Sequence, residues 1–155
     1  MLTLEQAFPA ALAAAAREWF ALWQLHPLAD DVRVRYSQRM FRCVGRCMPA
    51  RRVVSLAAGV REMPDPLIEE IAVHEFAHIA AFEHHGPAIR PHGCEWRALM
   101  QAAGFEPRVR FENMAAINLV HARASGGKRY VHRCVACGSS RVSTRRMTRW
   151  RCGAC

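Results

Sequence analysis

The spacing of apolar positions changes several times along the chain, and each change marks an element. Thr3-Leu4-Glu5-Gln6 has the form of a capping box and opens an alanine-rich helix, with Pro9 in its early turns and Trp19, Phe20 and Trp23 packing near its end. His26-Pro27 stops that helix. Val32 to Tyr36 and Val53 to Ala57 then alternate as half-buried strands do, with Arg33 and Arg35 on the wet side of Val32 and Val34. A longer helix is predicted from an Asp65 N-cap, with Pro66 at its first helical position, to a left-handed C-cap at Gly86. Leu67, Ile71, Phe76, Ile79 and Phe82 let it bury much of its surface. A further helical run spans Cys94 to Gln101. Beyond Gly104 the pattern fades through Phe105-Glu106-Pro107 into an ambiguous stretch from Phe111 to His121, and Ser125-Gly126-Gly127 is the clearest linker. A small sheet among helices implies an α+β fold.

At 155 residues and 52 % hydrophobic content, the chain suits one small domain plus an appendix. No window approaches the length of a transmembrane span. The apolar run from Phe8 to Ala16 follows Glu5 instead of a positive region and precedes Arg17-Glu18, which argues against a signal peptide and makes the cytoplasm the expected compartment. Charge divides the chain sharply. Residues 1–120 hold thirteen Arg against thirteen Asp plus Glu, whereas residues 121–155 hold eight Arg, one Lys and no acid, so the net +9 lies entirely in the tail.

Cysteine spacing gives that tail a fold. Cys134-Val135-Ala136-Cys137 and Cys152-Gly153-Ala154-Cys155 are CxxC pairs fourteen residues apart, close to the spacing of two zinc knuckles joined by a hairpin. A segment this short cannot bury a core, so a structural Zn²⁺ would supply its folding energy. Disulfides are the weaker alternative, because Cys43, Cys47 and Cys94 bring the total to an odd seven. Those three read as small buried hydrophobes. Four thiolates on Zn²⁺ leave the ribbon strongly basic. Arg141, Arg145, Arg146, Arg149 and Arg151, with Trp150 and Tyr130 among them, form a candidate phosphate-binding surface with rings able to stack on bases. Nothing resembles a recognition helix, so binding to DNA would tolerate any sequence and weaken with salt. A surface that only solubilises the protein, or that docks on an acidic protein, would have the same composition.

The chemistry is concentrated in Ala72-Val73-His74-Glu75-Phe76-Ala77-His78. On a helix, residues four apart lie one turn apart on one face, so His74 and His78 can point nitrogens at one metal ion while Glu75 stays off the ligand set. This HExxH spacing suits metal-assisted hydrolysis, with the glutamate taking a proton from a water that attacks a carbonyl. A third ligand is needed. His84 lies at a distance from His78 that works when a glycine turns the chain midway, but Ala81 stands there, and His84-His85 reads better as a solvated pair at the helix end. His92 follows the Gly86-Pro87 turn and precedes the next helix, which can swing it back. Glu95, Cys43 and Cys47 are alternatives, and Glu95 or Glu70 can instead orient a ligand imidazole. His121 and His132 have no partner spacing.

Taken together, His74-Glu75-Phe76-Ala77-His78 and Pro91-His92-Gly93-Cys94-Glu95-Trp96 resemble the SprT-like zinc metallopeptidases. Tyr36-Ser37-Gln38-Arg39-Met40, Gly45 and Arg52-Val53-Val54-Ser55-Leu56 are similar to that family's region ahead of the catalytic helix. The resemblance covers roughly residues 15 to 155. It implies a zincin-like domain over residues 1–120, a linker at 121–127 and a zinc ribbon at 128–155 holding its metal through Cys134, Cys137, Cys152 and Cys155. It also implies a catalytic zinc on His74, His78 and His92, Glu75 as general base, and protein substrates encountered on DNA. A non-catalytic nucleic-acid-binding adaptor built on the same zinc framework is the other functional class. Glu75 favours the enzyme, since a scaffold has no use for a carboxylate beside the metal.

Overall fold

The computed structural model describes residues 1–40, 43–109, 111, 130–138, 140–143, 145–148 and 151. Two units result, Met1–Ala124 and Ser125–Cys155. The expected ambiguous stretch beyond Phe111, the linker at 125–127, His121, Arg149, Trp150, Cys152 and Cys155 lie outside the described residues.

In the first unit the N-terminal helix is broken where proline removes a backbone donor. The α1 turn (Leu4–Ala7) stops at Phe8, Pro9 is extended at φ −55° and ψ 151°, and α2 (Ala10–Leu22) starts afresh. The expected single helix is therefore two. Gln6 Oε1 accepts a bond of 3.1 Å from the Thr3 amide, which supplies the backward arm of the capping box. Ala13, Ala16, Trp19 and Phe20 are the buried face of α2. A 3₁₀ turn, His26–Asp30, then leads to the sheet.

Three strands form that sheet: β1 (Arg33–Ser37), β2 (Gly45–Met48) and β3 (Val53–Ala57), in the order β1-β3-β2. The central β3 is parallel to β1, with Arg33 opposite Val53, and antiparallel to β2, with Cys47 opposite Val54. Every residue of β3 is buried, and its one polar side chain, Ser55, accepts a 2.7 Å bond from Arg35 Nε. Leu2 exchanges backbone hydrogen bonds with Val34 and anchors the N-terminus to β1. Arg52, in a left-handed conformation at φ 54°, ends the 3₁₀ turn between β2 and β3 and joins Asp31 and Glu83 through its guanidinium.

α3 (Asp65–His85) is the central element, with buried residues from Ile68 to Ala81. Asp65 is not its N-cap as expected. Pro64 takes that place and Asp65 falls in the first turn, where its charge meets the positive helix end. Gly86 ends the helix at φ 74°, but with ψ −170°, so it is not the left-handed cap that was expected. Phe76 is the hub of the aromatic core, with ring centroids 5.6 Å from Phe20, 6.1 Å from Phe8 and 6.5 Å from Trp19. α4 (Cys94–Ala102) packs on α3 through Trp96 and Met100, and Trp23 Nε1 donates to the Leu99 carbonyl at 3.0 Å. Among the described residues, no helix is long and apolar enough to cross a membrane.

The second unit shows an antiparallel hairpin of β4 (Tyr130–Arg133) and β5 (Ser140–Ser143). Its turn is the first CxxC: the Gly138 amide, at φ 73°, bonds the Cys134 carbonyl at 3.0 Å. The hairpin thus wraps the first CxxC pair.

Candidate metal centre

Three imidazoles converge on one side of α3. His74 and His78 come from successive turns of that helix, with ring centroids 5.1 Å apart. The loop from α3 to α4 returns His92 to within 5.2 Å of the first ring and 4.8 Å of the second. One donor atom from each lies within 4.8 Å of the others. His74 Nε2 and His92 Nε2 face each other at 3.3 Å. Two nitrogens bound to one tetrahedral zinc at about 2.0–2.1 Å would be about 3.3–3.4 Å apart, so this pair fits a shared ion.

Trp96 holds the cluster in place. Its fully buried indole stacks on His78 at 5.5 Å and meets His74 and His92 at 4.8 Å each. Its Nε1 donates to the His74 carbonyl at 3.2 Å, fixing α4 to the turn of α3 that carries the first ligand. Phe111 covers another side of His74 at 5.4 Å.

Burial keeps these imidazoles uncharged. His74 is pushed down to about 4, first by desolvation and then by His92, with a backbone group of Arg108 acting weakly the other way. His78 falls to about 3 from desolvation, then from His74 and His92. His92 is lowered by burial and by Arg97. Neutral imidazole is the form that binds metal. The His74 ring packs against Trp96 and Phe111.

Glu75 points to the other side of the cluster. Only 5 % exposed, its carboxyl lies against the backbone of β2, and desolvation raises its pKa to about 8. The neighbouring Cys47 thiol is pushed up by burial and by the Glu75 charge. Imidazoles and carboxyl open together into a cleft of about 790 Å³ whose walls include Val44, Phe82, Ile89, Val109 and Phe111.

The other expected ligands are elsewhere. His84 does not form a merely solvated pair with His85, because its Nε2 lies 2.8 Å from the Trp23 carbonyl and ties the end of α3 to α2. Glu95 is half-buried and stands outside the three-histidine group, its charge favoured by its own backbone amide at the start of α4. Cys43 and Cys47 line the cleft but do not join the three-histidine group. Cys94 is exposed, not the buried hydrophobe expected, because it opens α4 on the solvent side. Glu70 makes no hydrogen bond to a histidine among the described residues, and Tyr36 Oη donates to Ala7 with Arg61 over its ring. The sequence reading missed Trp96 as a support, although its place four residues after His92 on a helix is a usable signal, and it missed β2 as the wall behind Glu75.

In the second unit Cys134 is half-buried and Cys137 exposed. Arg141, Arg145, Arg146 and Arg151 are exposed. His132 Nε2 lies 3.3 Å from the Arg145 carbonyl and 3.4 Å from the Met147 amide.

Comparison with known proteins adds a family. Residues 14–116 match the SprT-like family. Over 74 residues the chain is 38 % identical to Protein SprT of Pseudomonas aeruginosa (strain LESB58), covering 48 % of this chain and 41 % of that protein. Protein SprT of Pseudomonas paraeruginosa (strain DSM 24068 / PA7) is 34 % identical over a stretch of the same length and coverage. Protein SprT of Vibrio parahaemolyticus serotype O3:K6 is 43 % identical over 42 residues, 27 % of this chain and 25 % of the relative. The matches thus span about two fifths or less of the relatives' length. No solved structure matches the chain significantly.

Proposed function

The chain belongs to the SprT-like family, and from that premise we propose that it is a zinc-dependent endopeptidase in which His74, His78 and His92 hold the metal and Glu75 is the general base. The observation that carries this reading is the convergence of three uncharged imidazoles beside a buried carboxyl, all opening into one cleft. Zinc bound there supplies an activated water near neutral pH and polarises the substrate carbonyl. A cation held by the three histidines would favour the ionised Glu75 carboxyl despite its burial, which would ready it to accept a proton. It takes that proton as the water oxygen attacks the peptide carbon, and returns it to the departing amine as the C–N bond breaks. The apolar walls exclude competing water, and β2, which pairs only with β3 among the described residues, leaves a free edge beside the cleft for an extended peptide.

The second unit is proposed to hold a structural zinc through Cys134, Cys137, Cys152 and Cys155 and to recruit the peptidase to DNA, so that DNA-bound or DNA-crosslinked proteins are its substrates. Support comes from the exposed Arg141, Arg145, Arg146 and Arg151 and from the lack of any acid in residues 121–155. Arg149 and Trp150 belong to the same proposed surface.

Metal content and proteolysis together test the reading. The parent should carry two zincs and His92→Ala one, while Glu75→Gln should keep both and lose about 10²–10⁴-fold in turnover. A Glu75→Gln variant that cuts protein as fast as the parent removes the assigned base. Deletion of residues 125–155 should weaken DNA binding and flatten its salt dependence, leaving the first zinc in place. Unchanged DNA affinity would end the recruitment idea.

A further inference from the structure

Gly45 lies directly against the Glu75 side chain. A Cβ built on its backbone would fall 2.3 Å from Glu75 Oε1, 2.8 Å from Cδ and 2.9 Å from Cγ, all closer than real Cβ atoms approach. The three nearest atoms belong to one side chain, and that side chain is the carboxyl of the site. Backbone geometry does not call for glycine here. Gly45 is absent from the positive-φ residues and pairs with Leu56 as an ordinary antiparallel strand position, where glycine weakens a strand relative to residues with side chains. Its missing side chain is accounted for by the space that Glu75 occupies.

We propose that Gly45 is a positioning residue: its bare Cα is the shelf on which the Glu75 carboxyl rests, and this fixes where the carboxyl points into the cleft. The inference rests on the reading of Glu75 as general base. β2 is held in register on a fully buried strand, while Glu75 reaches its carboxyl through rotatable bonds. A methyl group at position 45 therefore displaces the carboxyl before it displaces the strand. Misplacing a catalytic group by about 1 Å can cost on the order of a hundredfold in rate. Substrate binding elsewhere in the cleft would be left alone.

The test is Gly45→Ala, studied by crystallography and by kinetics on the full chain. Expected are a Glu75 carboxyl moved by about 1 Å or more with β2 in its original register, unchanged zinc content, and kcat reduced at least tenfold at constant KM. A carboxyl in its parental place, or a kcat equal to the parent's, overturns the proposal. Should Gly45→Ala fail to fold, the double variant Gly45→Ala/Glu75→Ala decides: recovery of folding supports the shelf, and continued unfolding shows that the strand itself needs glycine. If the parent cleaves no protein, the peptidase reading fails, but the carboxyl position in Gly45→Ala still tests the shelf.

Discussion

His74 and His78 ride on a helix whose other face buries Phe76 and Ile79, whereas Cys134 and Cys137 belong to a hairpin in which none of the described residues is buried. Both are candidate metal sites, but packing provides the geometry of only one. In the first unit the ligands are oriented by Trp96 and the aromatic core, so the cluster can be assembled before an ion arrives. In the second, Val135 is fully exposed and the strands are four residues each, too little apolar surface to offset the entropy of ordering the chain. On the proposed reading, stability there would come from ligation. A metal would then be a tenant in one part of the chain and a structural member in another.

Chelation is the strongest way to break that contrast. Stripping metal should abolish the β4–β5 hairpin, read as loss of NMR dispersion for Tyr130–Ser143, while the first unit keeps its fold and melts within several degrees of the loaded form. A metal-free hairpin with native dispersion would erase the distinction. Trp96→Ala comes next in size. It removes a fully buried ring and the bond to His74, so unfolding free energy should fall by about 3–5 kcal/mol and zinc affinity by about 10–100-fold. Denaturant titration and competition with a chromophoric chelator measure the two effects. A stability loss with unchanged affinity would make Trp96 core packing alone.

The smallest effect sharpens the picture of the empty cluster. His74 and His78 have folded values of about 4 and about 3 against an ordinary 6.5, so the stability they contribute is complete above pH 6.5 and is lost as pH falls toward those values. Glu75 acts in the opposite sense. Raised from 4.5 to about 8, it contributes most below pH 4.5 and that contribution is lost as pH rises through 8. Two histidines outweigh one glutamate between these limits, so the metal-free first unit should be most stable near pH 6.5. From there to pH 8 the parent should lose about 1 kcal/mol, whereas Glu75→Gln should lose none. Parallel Tm curves for parent and variant across that range would show that Glu75 is not desolvated.

The sequence was most informative where local pattern and final environment agree. β3 runs over the predicted Val53 to Ala57, although as the central strand it is buried on both faces and does not alternate, and α3 follows its apolar periodicity from Asp65 to His85. Gly45–Met48 could not be read in the same way, because Gly-Arg-Cys-Met has no alternation of its own and becomes a strand only by pairing with β3. Pro9 carried the signal that splits α1 from α2, but the surrounding alanines favour helix on both sides and mask it. HExxH named two ligands and a neighbouring carboxylate from helix geometry. Which of His92, Glu95, Cys43 and Cys47 would come near them depended on the path of the α3–α4 loop, and spacing could narrow that choice without making it.

Among the described residues, those lining the cleft lie between Cys43 and Phe111, ahead of the Ser125–Cys155 unit in chain order. On a ribosome adding about 5–20 residues per second, the cleft's last wall is synthesised seconds before the basic hairpin exists. On the proposed reading, the part of the chain that would cut is therefore synthesised before the part that would bind nucleic acid.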